Sequence, residues 1–166
     1  MTSLGHHRPP APRRAVAATR PAVLLLVALF TVTGCGGPDS LEGTVVAVKG
    51  GKDDRALGGG WVATFGDDAL LDFLSNAGID VPGRTDLPYV GGRVLHEDVA
   101  RSGGSLATID QDGKFALTVT GRQTICRLVE TPQVDVLKGC AAVDLPAKGR
   151  LRLSVGDTGL QARLDD

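Results

Sequence analysis

Acid–base and metal chemistry need histidines, paired carboxylates or activated nucleophiles, and this 166-residue chain is sparing with all of them. Of its three histidines, His6 and His7 lie together near the amino end and His96 stands alone. His96 is followed by Glu97 and Asp98, which could make a general base with a carboxylate to orient it; the expected reading is a strand-end histidine with solvated neighbours. Asp53 with Asp54, and Asp67 with Asp68, are two acidic pairs of the kind that serve as acid and base in glycoside hydrolysis. Both fall on segments read as loops, where such pairs are expected to be solvated caps. Asp110, Asp112 and Gly113 resemble a fragment of a calcium loop, but Lys114 and Phe115 occupy the positions where further oxygen ligands would begin, so a turn is expected there. Gly58-Gly59-Gly60 precedes an apolar strand and not a helix amino terminus, which argues against a phosphate cradle. The Ser102–Ser105 stretch reads as a flexible linker. No G-x-S-x-G, H-E-x-x-H or P-loop pattern occurs. The expectation is a protein that is not an enzyme, with no cofactor and no metal site; a small envelope hydrolase using the loop carboxylates or His96 is the alternative.

Three cysteines carry the remaining chemistry. Arg8, Arg13, Arg14 and Arg20 make the amino end basic, with no acid before Asp39, and residues 22–33 (AVLLLVALFTVT) then run without a charge. Twelve such residues are too few to span a bilayer core as a helix, and the basic-then-apolar order is that of a secretory signal peptide. Val32-Thr33-Gly34-Cys35 follows directly and resembles the bacterial lipobox. That resemblance implies cleavage before Cys35 and a diacylglyceryl thioether on its sulfur. The divisions that follow are a signal peptide over 1–34, a lipidated tether over 35–40 and a single domain over 41–166. Arg13-Arg14 lacks the bulky apolar residues of a twin-arginine signal, so ordinary secretory export is expected. The chain would then be lipid-anchored on the extracytoplasmic side of the cell membrane. Cys126 and Cys140 are left for an oxidising exterior, where a disulfide between them is expected over two buried thiols.

Composition narrows the partners. The formal net charge is −1, and removing residues 1–34 takes away four of the 18 basic residues and none of the 19 acids, leaving −5. A chain with no basic excess has nothing to neutralise nucleic-acid phosphates, and 4% aromatic residues give little stacking surface for bases. The expected partners are the membrane, through Cys35, and an envelope protein. Tyr89, Trp61 and Arg84 are the candidate contact residues, although Tyr89 is expected more as a plug at one end of the fold.

The elements that must position these residues are mostly strands. Residues 42–49 (EGTVVAVK) are β-branched, 50–60 read as a loop, and 61–65 (WVATF) alternate. A helix capped by Asp67 or Asp68 carries Leu70, Leu71, Phe73 and Leu74 and ends at Gly78. Residues 79–92 hold two prolines and three glycines and read as irregular. Short strands are expected at 93–96, 106–110, 114–120, 123–130, 140–145, 150–155 and 160–164, with Asp112-Gly113 turning a hairpin. Short strands at regular spacing mean a sandwich or barrel.

Gly43-Thr44-Val45-Val46 at the start of the domain, with Ala107-Thr108-Ile109-Asp110-Gln111-Asp112-Gly113-Lys114-Phe115-Ala116-Leu117 and then Gly121, resembles the carboxypeptidase regulatory-like, or transthyretin-like, β-sandwich. Ile109 stands where that family usually has a second threonine, and the insertion over 66–92 is longer than its usual connection. The resemblance covers about residues 41–130 and implies an all-β fold: an antiparallel, Ig/prealbumin-like β-sandwich, here with one short helix inserted. It also implies a non-catalytic role in adhesion, spacing or display. The Gly/Ala/Asp/Arg-rich composition is similar to that of actinobacterial lipoproteins.

Overall fold

The computed structural model describes residues 40–81 and 83–165. From the amino end the order is β1 (Leu41–Lys49), β2 (Lys52–Ala56), β3 (Trp61–Phe65), helix α1 (Asp67–Asn76), a 3₁₀ segment (Arg84–Tyr89), β4 (Gly91–Val94), helix α2 (His96–Arg101), β5 (Ser105–Thr108), β6 (Lys114–Leu117), β7 (Gly121–Glu130), β8 (Asp135–Leu145), β9 (Arg150–Gly156) and β10 (Gly159–Asp165). The signal peptide, Cys35 and the tether as far as Asp39 lie outside the described residues.

Two-residue periodicity places most of the side chains. Leu41, Gly43 and Val45 of β1 are buried while Glu42 and Thr44 are exposed, and Phe115 and Leu117 of β6 and Leu151 and Leu153 of β9 repeat the pattern. These strands form one sheet in the order β10-β9-β1-β2, with β6 pairing the first half of β1. Gly43 faces Phe115 across that pair, and a Cβ at Gly43 would overlap the phenyl ring, so any larger residue there must displace Phe115 from the core. The second sheet has the order β4-β8-β7-β3-β5. Between the sheets lies a core of Leu41, Val45, Val62, Ile109, Phe115, Leu117, Ile125, Leu145, Leu151, Leu153 and Leu160.

A second core covers the outer face of the second sheet. Ala63, Phe65, Cys126, Leu128, Leu137 and Cys140 meet Leu70, Phe73 and Leu74 of α1, Leu87 and Val90 around the 3₁₀ segment, and Val99 of α2. Phe65 and Phe73 are fully buried with ring centroids 4.8 Å apart, a tilted aromatic pair. This is why β3 is buried on both faces. The chain is mainly β, a two-sheet sandwich with a helical layer on one side.

Several expectations are corrected. The strands are not all antiparallel: β1 and β9 run parallel through six paired positions, Glu42↔Arg150 to Ala47↔Val155. Asp112-Gly113 does not turn a hairpin, because β5 pairs with β3 in one sheet and β6 with β1 in the other. The turn carries the chain between layers, and the amide of Val45 is anchored on the Gly113 carbonyl (2.8 Å). Residues 52–56 form a strand; its polar sequence gives no burial signal, and it is held by the ladder to β1. Among the described residues there are two α-helices where one was expected, since the expected strand at 93–96 ends at Val94 and His96 opens α2. Gly66 and not an aspartate is the N-cap of α1, with no side-chain cap, while Asp67 and Asp68 occupy its first turn and favour that helix end electrostatically.

Candidate functional site

His96 is the only histidine among the described residues, and the fold gives it a partner that is distant in sequence. The β4–β8 ladder sets Val94 opposite Asp135, two residues before His96. Asp135 Oδ2 accepts the backbone amide of His96 at 2.8 Å and lies 2.8 Å from its Nδ1. The carboxylate therefore closes the first turn of α2 and fixes the ring at once. The ring also stacks on Trp61, with centroids 4.4 Å apart and planes 19° apart. The Asp135 side chain is 7% exposed and that of His96 40%. With Nδ1 held against the buried carboxylate, Nε2 is the ring nitrogen left without a partner among the described residues, the arrangement a general base requires. Among the described residues, however, no hydroxyl or thiol is hydrogen-bonded to the ring.

The sequence neighbours expected to orient His96 do not. Asp98 pairs with Arg101 at 2.5 Å, and Glu97 lies 3.9 Å from the same guanidinium. Asp135 is the orienting residue that sequence reasoning missed. The available signal was an acid between Val134 and Val136, inside an apolar run with no turn residue beside it.

The other sequence candidates separate. Asp67 and Asp68 are exposed in the first turn of α1. Asp53 and Asp54 lie on β2 in the first sheet, so the two acidic pairs belong to different elements. Asp110 Oδ1 accepts the amides of Asp112 (2.9 Å) and Lys114 (2.7 Å), which commits it to the turn. No group of three or more His, Cys, Asp or Glu residues is placed to hold a metal ion among the described residues. Tyr89 is 65% exposed and does not plug the sandwich. Trp61 is half-buried beneath the His96 ring. Arg84 lies on the 3₁₀ segment. Cys126 and Cys140 face each other across β7 and β8 and are joined as a disulfide.

Two further features were not legible. Arg127 follows Cys126 at a register shift in β7 and is 7% exposed; desolvation lowers its pKa from the ordinary guanidinium value, and its buried Nε has no hydrogen-bond partner among the described residues. The other is a cleft of about 540 Å³ between α1, the 3₁₀ segment, β10 and the ends of β7 and β8. It forms because β4 pairs with β8 only as far as Lys138. Beyond that point Gly139 turns the strand with a φ of +95°, and Pro88 packs against both Gly139 and Gly159, where a Cβ would collide with its carbonyl. Leu70, Leu71, Leu74, Leu87 and Leu160 give the cleft aliphatic walls, and Arg122, Thr124, Gln161 and Asp67 its polar groups.

No family model, curated protein or solved structure matches the chain.

Proposed function

We propose that the chain is a lipid-anchored extracytoplasmic module, held at the membrane through a diacylglyceryl group on Cys35, that binds its partner without turning it over. The observation that carries this reading is the Cys126–Cys140 disulfide between neighbouring central strands. Such bonds persist in oxidising compartments, which is where the basic, apolar leader and the lipobox-like Val32–Cys35 would deliver the chain. The stacked sheets and the Gly43–Val46 opening strand are consistent with a prealbumin-like, carboxypeptidase regulatory-like sandwich, to which the sequence over about residues 41–130 is similar. An envelope protein is the partner class this reading implies, with the exposed Tyr89 as a contact.

The test is fractionation of cells producing the full chain and a Cys35→Ala variant, with mass spectrometry of the peptide that begins at residue 35. The expected result is a membrane-bound protein with an acylated Cys35, and a variant that loses the membrane fraction. Equal partition of the two forms would sink the anchor. Crosslinking on intact cells then identifies partners that depend on Cys35.

A hydrolase is the second reading, and the observation in its favour is the His96–Asp135 pair. It requires a turnover, found by screening ester, glycoside and peptide substrates, that His96→Gln abolishes with little change in Tm.

A further inference from the structure

We infer that the cleft beside α1 binds a single-chain anionic amphiphile, a long-chain fatty acid, with its alkyl chain among the leucines and its carboxylate on Arg122. The inference deepens the binding-module reading and rests on it, but it does not depend on lipidation of Cys35. Three observations carry it. The cleft's volume of about 540 Å³ falls inside the roughly 300–1,000 Å³ of small-molecule sites. Its walls are aliphatic, and among the described residues no aromatic side chain lines it, so it complements an alkyl chain better than a flat ring that needs a stacking partner.

The third observation is a mismatch on α1. Leu70 and Leu74 are buried at 5% and 3%, whereas Leu71 is 65% exposed at the rim of the cleft. The solvent face of a helix this short is normally polar, and an alkyl chain lying along the rim would cover Leu71. Charge fixes which end goes where. Arg122 is exposed at the cleft and has no ion-pair partner among the described residues, whereas Asp67, the acid on the cleft lining, is engaged in another interaction. A carboxylate there makes a charge-assisted contact with a guanidinium.

The experiment photolabels the full-length protein, in phosphatidylcholine vesicles, with a diazirine analogue of palmitic acid and maps the adducts by mass spectrometry. Adducts are expected on residues 67–76 and 159–165 and are expected to be competed away by unlabelled palmitate. Arg122→Glu reduces the labelling about tenfold, the size of one charge-assisted contact. Ala142→Trp, an exposed position on the cleft wall, fills the cleft and removes the labelling while Tm is kept. Both positions are exposed, so either variant can be read if the other misfolds. Adducts scattered over the surface, or labelling unchanged by both variants, overturn the proposal. A diazirine hexadecanol that labels as well as the acid overturns the anionic head. The same map obtained on Cys35→Ala keeps the outcome separate from that of the anchor.

Discussion

A single oxygen of Asp135 holds two groups of His96, the backbone amide and the ring. An acceptor buried to this degree is costly to remove, because the His96 amide and ring lose their partner and only the ring, 40% exposed, can turn to water in exchange. Asp135→Ala is expected to lower stability by about 1–3 kcal/mol, read from urea unfolding at neutral pH. Asp135→Asn, which keeps an acceptor oxygen, should lose less. If Asp135→Ala unfolded at the same urea midpoint as the parent, the pair would have no structural weight. The spacing of residues gives no sign of this pair, since 39 positions separate its members, whereas Glu97 and Asp98 stand adjacent to His96 and turn to Arg101 instead. Charge next to charge in sequence marks a helix surface here, and an acid between two valines marks the partner that fixes the His96 ring.

The elements that could be read were those with regular apolar spacing. β6 and β9 alternate in burial, the stripe of α1 lies close to where its spacing puts it, and β3 keeps its expected bounds although both its faces are buried. β2 and α2 were hidden for opposite reasons. Lys52–Ala56 is all but devoid of apolar side chains and exists through hydrogen bonding to β1, while six-residue α2 buries only Val99 and so shows no helical period. The layer to which each strand belongs was also hidden, because tight turns such as Asp110–Gly113 serve a change of sheet as well as a hairpin. At this scale the disulfide is the feature to test. It joins Cys126 to Cys140, directly opposed in the β7–β8 ladder, across a sequence separation of 14. Closing a loop of this size stabilises by about 3 kcal/mol on the chain-entropy model. The Cys126→Ala/Cys140→Ala double variant should therefore lose about that much unfolding free energy and shift to a lower urea midpoint, and a reducing agent should reproduce the shift in the parent but leave the double variant unmoved.

At the scale of the whole molecule, the sandwich depends on its carboxyl-terminal strands. Leu151, Leu153 and Leu160 are at most 1% exposed, and each fully buried leucine contributes roughly 1.5–3 kcal/mol. Together they rival the about 5–15 kcal/mol that holds a typical domain folded. A chain ending at Gly149 is therefore expected to lack a cooperative thermal transition and to be degraded rapidly by protease; retention of a sharp transition would show that the second sheet and its helices stand alone. The parallel pairing of β1 with β9 also has a kinetic consequence. A chain that emerges amino end first offers β1 to its surroundings long before residues 150–156 exist to pair with it. Contacts so far apart in sequence form late and fold slowly, and an unpaired strand edge is a template for other chains in the meantime. The meeting of the first strand with the ninth is therefore expected to come late, and until then the edge of Val45-Val46-Ala47-Val48 that β2 does not cover is open to the wrong partners.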